Sequence, residues 1–264
     1  MKALNEYINE AEKYVRLANG ELVKYDKNKT RRADSLEYYK IISKKYLDEL
    51  GGQQKFQSII NETINKVNSI LSQVGNLNLE GCDNVNFCEF LNGQALGRIF
   101  ENVLVKVIDK NTPSGFKYEQ GTESSFDKDI NCISIPNNFN FLNETQDKDI
   151  IEYLKYHWSG VGKNDKNFFN SPKYFGIELK TKQSTGATGN KSYAMAEHDE
   201  NSKSKSAFYI IINYKAPAAP NYTITNVKAY FGFLDQMDWT FYKDKSGTAN
   251  INNNILKSRF IQIF

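Results

Sequence analysis

Tyr174-Phe175-Gly176-Ile177-Glu178-Leu179-Lys180-Thr181-Lys182 alternates apolar and polar residues through its second half. A period of two is that of a β-strand, whose successive side chains point to opposite faces. Ile177 and Leu179 then share one face, while Glu178, Lys180 and Lys182 share the other. A carboxylate and an ammonium two residues apart match the needs of phosphodiester hydrolysis. That reaction calls for carboxylates that hold Mg²⁺ and a neighbouring cation that orients the nucleophile and stabilises the transition state.

One carboxylate is insufficient for this chemistry. The second candidate is Asp129, which opens the apolar run 130–135 and so stands at the start of a strand able to pair with the Glu178 strand. Asp127 is the alternative, because a slip of two residues keeps the same strand face. A bare Glu-x-Lys arises by chance in a lysine-rich chain, and its bland reading is a solvated strand face.

Upstream of these residues the apolar spacing is helical. Leu4, Tyr7, Ile8, Ala11, Tyr14 and Val15 form a first stripe that Gly20 would end, and a second helix runs over about 35–50 to the Gly51-Gly52 break. A third carries Phe56, Ile59, Ile60, Ile64, Val67, Ile70, Leu71 and Val74 on one face, and a fourth spans about 88–108. Beyond Pro113 the pattern changes to short β-type runs at 116–119, 130–135, 174–180, 208–214, 227–234 and 239–242, with a short helix over 147–158. The expected class is α/β (α+β): a helical region over 1–80 followed by a sheet-rich core over 81–264.

Composition narrows the classes further. The 264 residues suffice for a substantial core, and 16 Tyr with 17 Phe argue against disorder. No stretch approaches the roughly 18 apolar residues of a membrane span, and the first residues lack a signal-peptide core, so a cytoplasmic location with no membrane partner is expected. Cys82, Cys88 and Cys132, with only His157 and His198 beside them, make no zinc-type ligand spacing and read as reduced packing residues. The net charge of +3 neither demands nor excludes a polyanionic partner.

Several of these features occur in one order: an Asp at a strand start, Gly176-Ile177-Glu178-Leu179-Lys180-Thr181 in a strand, Gly189-Asn190-Lys191-Ser192-Tyr193-Ala194, and Lys203-Ser204-Lys205 before an apolar strand. In this order the chain resembles the PD-(D/E)XK nucleases, especially type II restriction endonucleases, over about residues 90–232. The resemblance implies a mixed central sheet of restriction-endonuclease-like type flanked by helices. It further implies that Asp129 is the first acidic ligand and that Glu178 and Lys180 are the Glu and Lys of the family's ExK element. Glu101, on the helix containing Gly93-Gln94-Ala95-Leu96-Gly97, is similar to a supporting acidic residue found on a helix before the sheet in many members. The family's usual Pro is replaced by Lys128, and residues 137–170 lengthen the interval between the two acidic positions.

The mechanism so implied is Mg²⁺-dependent cleavage of double-stranded DNA. Asp129, Glu178 and the Leu179 carbonyl would hold the metal, Lys180 would position the nucleophile and Glu101 would complete the outer shell. Residues after the catalytic strand offer donors and acceptors for phosphates and base edges: Lys182, Gln183, Ser184, Thr185, Thr188, Asn190, Lys191, Ser192, Tyr193, Lys203 and Lys205. A homodimer matched to a palindromic site and a companion methyltransferase are the further expectations of that resemblance. The rivals are a repair or recombination nuclease of the same superfamily and a non-catalytic DNA-binding module in which Glu178 and Lys180 form a surface ion pair of little energetic value.

Overall fold

Strand β7, Ala207–Lys215, is buried along nearly its whole length, which requires cover on both faces and places it inside a sheet. The computed structural model describes residues 14–16, 22–24, 35–75, 93–121, 128–143, 145–157, 171–183, 192–195, 207–215, 217, 222–234, 239–241, 249–252 and 259–264. The neighbours of β7 are β5, Ile177–Gln183, and β8, Thr225–Leu234, in a six-stranded sheet of order β11-β8-β7-β5-β4-β3. Its other strands are β3 (Lys117–Gln120), β4 (Ile130–Ser134) and β11 (Ile261–Gln262). The β5–β7 pair is parallel and the remaining pairs are antiparallel, so the sheet is mixed, as expected.

Three helices cover one face: α1 (Ser35–Glu49), α2 (Gly52–Gly75) and α3 (Gly93–Asn111). Registered neighbours Ile177–Phe208–Phe233 and Leu179–Ile210–Phe231 form successive rows across β5, β7 and β8. Against them pack Tyr46 and Tyr39 from α1, Phe56 from α2 and Phe100 from α3, with the Tyr46 ring 4.4 Å from Phe208 and the Phe56 ring 5.5 Å from Phe231. These rings and the apolar stripes of α1 and α2 belong to one continuous core. Burial of each large aromatic side chain contributes about 1.5–3 kcal/mol.

A shorter helix, α4 (Lys148–His157), and a 3₁₀ turn (Pro172–Tyr174) fill the interval between β4 and β5. The alternation of the decisive stretch therefore starts at Ile177; Tyr174 lies in the turn, because Pro172 fixes a helical φ where a strand would need an extended one. Two smaller sheets are present among the described residues. Strands β1 (Tyr14–Arg16) and β2 (Leu22–Lys24) form a hairpin with Val15 opposite Val23. The expected first helix is thus corrected at its C-terminal end: β-branched and aromatic residues on either side of Gly20 pair as strands instead. Leu4, Tyr7, Ile8, Ala11 and Gly20 lie outside the described residues. The third sheet joins β6 (Ser192–Met195), β10 (Ala249–Asn252) and β9 (Trp239–Phe241) in that order. No helix among the described residues is long and apolar enough to cross a membrane.

A buried hydroxyl fastens the helical layer to the strands that carry the acidic residues. Tyr46 donates to the Phe175 carbonyl, which leaves Tyr118 on β3 to donate its own hydrogen to the Tyr46 oxygen at 2.7 Å. Burial pushes both phenols well above their usual pKa, so both remain neutral donors. Replacing Tyr46 by Phe removes the shared hydroxyl and leaves a buried carbonyl and a buried phenol short of a partner. Chemical denaturation should show a loss of about 1–3 kcal/mol, and an unchanged midpoint would refute this fastening role.

Candidate active site

Strands β4 and β5 pair only through Ile130 and Ile177, and on the far side of that pair they carry Asp129 and Glu178. Two glycines permit the approach. A Cβ on Gly176 would sit 2.7 Å from Lys128 Cγ and 3.0 Å from the Ile130 carbonyl oxygen. One on Gly121 would sit 1.8 Å from the Lys128 carbonyl oxygen, where the Gly121 amide donates to the Asp129 carbonyl at 3.0 Å. Lys128, at the position of the family's proline, is itself buried against Gly176.

The side chains expected from the sequence meet at this point. Lys180 Nζ lies 3.3 Å from Asp129 Oδ2 and 3.3 Å from Glu178 Oε2. The Leu179 amide donates to the same Asp129 oxygen at 2.8 Å, which fixes the carboxylate against the backbone of β5. Glu178 is 2 % exposed, although strand alternation suggested a solvated face. Glu178 is thus removed from water, while the Asp129 and Lys180 side chains keep 28 % and 21 % exposure and open the cluster on that side.

Burial acts against every charge in the cluster, and the neighbours decide the outcome. At Asp129, desolvation and the Glu178 carboxylate raise the pKa from 3.8 to about 6, opposed by Lys180 and the Leu179 amide. At Lys180, desolvation favours the neutral amine, but the Glu178 and Asp129 carboxylates outweigh it and hold the pKa above the ordinary lysine value. Lys180 is consequently a permanent cation in this arrangement. Lys182, further along the same face, has its pKa lowered by burial.

Glu101 is buried on α3, but Gln120 and Arg98 hold its carboxylate. Gln120 Nε2 donates to it at 3.2 Å, and Arg98 Nη1 lies 3.6 Å away. Gln120 faces Ile130 in the β3–β4 register, so Glu101 reaches the strand that follows Asp129 through one intervening side chain. Among the described residues no three His, Cys, Asp or Glu side chains converge as a ready metal cluster. The donor set is instead two hard carboxylates beside a strand backbone, and oxygen ligands of this kind suit Mg²⁺.

Of the residues expected to touch DNA, Lys182 and Gln183 close β5, while Ser192 and Tyr193 lie in β6. The expected loop is thus shorter at both ends, because the strands continue into it. Ser184, Thr185, Thr188, Asn190, Lys191, Lys203 and Lys205 lie outside the described residues, as does Asp127. Cys132 is a buried free thiol with its pKa pushed up by burial to about 12, a packing residue as expected; Cys82 and Cys88 are outside the described set. Sequence reasoning missed Gln120, Tyr46 and Tyr118, which carry no local motif and acquire their roles through tertiary hydrogen bonds.

Comparison with known proteins bears on the same segment. Residues 138–264 match the family model of the ScaI restriction endonuclease. This region of similarity contains Glu178, Lys180 and β5 to β11, and it begins after Asp129 and Glu101. No curated protein and no solved structure matches the chain. The family so matched is one of restriction endonucleases.

The raised Asp129 pKa gives a test of the site's electrostatics. The folded chain binds this proton more tightly than the unfolded chain, so stability is lost as pH rises from about 4 through about 6. In metal-free protein, Asp129→Asn should melt above wild type at pH 8, and the difference should shrink on acidification to pH 4. A variant that melts below wild type across this range would contradict the burial of a disfavoured carboxylate.

Proposed function

We propose that the chain is a type II restriction endonuclease of PD-(D/E)XK type that cleaves double-stranded DNA with Mg²⁺. The observation that carries the reading is the position of Lys180 Nζ, 3.3 Å from both Asp129 and Glu178 in a largely buried cluster. It is supported by the similarity of residues 138–264 to the ScaI restriction endonuclease family.

Asp129, Glu178 and the Leu179 carbonyl would hold Mg²⁺, which supplies polarisation of the scissile phosphate and an acidified water. The remaining functions fall to the chain's own residues. The Leu179 amide orients Asp129, and Lys180 presents a fixed positive charge that orients the nucleophile and meets the negative charge that develops on the phosphate. A lysine held fully protonated is unsuited to removing a proton, so Lys180 acts here through charge and position. Glu101, tied to Gln120 and Arg98, supports the β3–β4 hairpin from behind and can steady the outer shell. A two-fold dimer would match a palindromic target and cut both strands, and a methyltransferase of the same specificity would protect host DNA.

The test is digestion of unmethylated plasmid with Mg²⁺ followed by sequencing of the ends. Fixed cut positions are expected from wild type, whereas cleavage without sequence preference would favour a repair or recombination nuclease. Glu178→Gln and Lys180→Ala should each lower the cleavage rate at least about 10²–10³-fold while DNA binding in Ca²⁺ persists. Full activity in either variant would refute the assignment. Binding that persists in EDTA with no cleavage under any divalent metal would favour a binding module.

A further inference from the structure

The Lys180 ammonium closes on neither of its carboxylates. Its Nζ lies 3.3 Å from Asp129 Oδ2 and 3.3 Å from Glu178 Oε2, whereas a charge-assisted N–H···O bond shortens to about 2.7–2.9 Å. The cation is shared, drawn equally to both oxygens and seated fully against neither. Both anchors are held in place. Asp129 Oδ2 also accepts the Leu179 amide at 2.8 Å, and Glu178 is buried on β5, whose parallel register with β7 runs unbroken from Ile177 to Gln183. Two held carboxylates from different strands, facing one cation across a wide gap, form a seat for an ion more than a closed salt bridge.

An ammonium is not the cation that suits this seat best. Mg²⁺ takes oxygen ligands at about 2.0–2.1 Å. Bound to the same two oxygens, it would stand at most about 5.4 Å from the present position of Nζ. Two cations so close, beside a Glu178 shut off from water, repel each other strongly. Lys180 has a way out. Its side chain keeps 21 % exposure and that of Asp129 28 %, so the cluster opens on their side, and the four-carbon stem of a lysine is flexible. Charge counting favours that direction. Two carboxylates, the ammonium and a divalent ion sum to one positive charge, which matches the single negative charge of a phosphodiester approaching the open side.

We propose that Lys180 is a displaceable counter-ion: in metal-free protein its ammonium keeps the two carboxylates together, and a divalent ion that takes Asp129 Oδ2 and Glu178 Oε2 moves it toward the open side of the cluster. Metal and ammonium thus compete for the same oxygens. The inference rests on the nuclease reading above and adds an order of events to it, since metal binding is what frees the lysine to face a substrate.

The test is Mn²⁺ binding to the full chain by titration calorimetry, with Lys180 followed in parallel by acetylation and mass spectrometry. Lys180→Met, which keeps length and loses charge, should bind Mn²⁺ about 5- to 150-fold more tightly than wild type. Lys182→Met removes a charge two residues along the same strand face and should change the affinity far less. Titrations belong at pH 8 and pH 9, above the Asp129 pKa of about 6, because loss of the ammonium raises that pKa further and a bound proton would mask the gain. In wild type, acetylation of Lys180 should be slow without metal and rise several-fold at saturating Mn²⁺, relative to the exposed Lys110. This second measurement needs no variant and decides the matter if Lys180→Met does not fold. Unchanged or weaker Mn²⁺ binding in folded Lys180→Met would overturn the proposal, as would Lys180 labelling unmoved by Mn²⁺. No Mn²⁺ binding by wild type, or equal binding by Glu178→Gln, would instead remove the metal-dependent nuclease reading itself.

Discussion

The ammonium of Lys180, held between two carboxylates that come from different strands, is the interaction on which the candidate site depends. Two buried carboxylates this close repel, and without a cation one of them would have to take up a proton. Lys180 offsets much of that repulsion, yet burial first and the Glu178 carboxylate second still raise the Asp129 pKa to about 6, and two carboxylates beside one ammonium leave room for a further positive charge. This is the electrostatic condition expected of a divalent-cation site. The geometry that creates it is backbone geometry. β4 and β5 separate after a single registered pair, Gly121 and Gly176 leave room for the crossing, and the Leu179 amide holds Asp129 in the gap.

The same strand serves packing and chemistry through its two faces. Ile177 and Leu179 belong to the core beneath α1, α2 and α3, and Glu178 and Lys180 project from the other side. A slip of one residue in the β5–β7 register would bury the wrong set. The seven-residue parallel register with β7, itself buried, makes that slip costly. The Tyr46 hydroxyl adds a second constraint by holding the Phe175 carbonyl two residues before the strand begins. Stability of the helical layer and placement of Glu178 are therefore coupled through Phe175 and Gly176.

Much of this was legible in the sequence, because the relevant signals are local. Helices α1 and α2 follow from apolar stripes bounded by Gly51 and Gly52, and β5, β7 and β8 from alternation or continuous apolar runs. Asp129 was read as the partner of Glu178 from its place before an apolar run able to pair with the Glu178 strand, with Asp127 as the alternative, and the resemblance pointed the same way; the close approach itself depends on contacts between segments about fifty residues apart. Strands β1, β6, β10 and β11 were not legible. Each has two to four residues, too few for a period to emerge, and their stability comes from partners elsewhere in the chain. Glu101 shows the opposite limit: its helix was foreseen, but the partners that claim its carboxylate, Gln120 and Arg98, became apparent only in three dimensions.

The boundary of the family similarity has a physical sense. The matched residues 138–264 hold Glu178, Lys180 and every strand of the β6-β10-β9 sheet, whereas Asp129 and Glu101 come from the segment before it. The segment inside the similarity supplies Glu178 and Lys180, and the segment before it supplies Asp129, whose carboxylate is fixed by the Leu179 amide of the first. The candidate site is therefore complete only where the two segments meet, and the tertiary contact between β4 and β5 matters to it as much as the ExK strand itself.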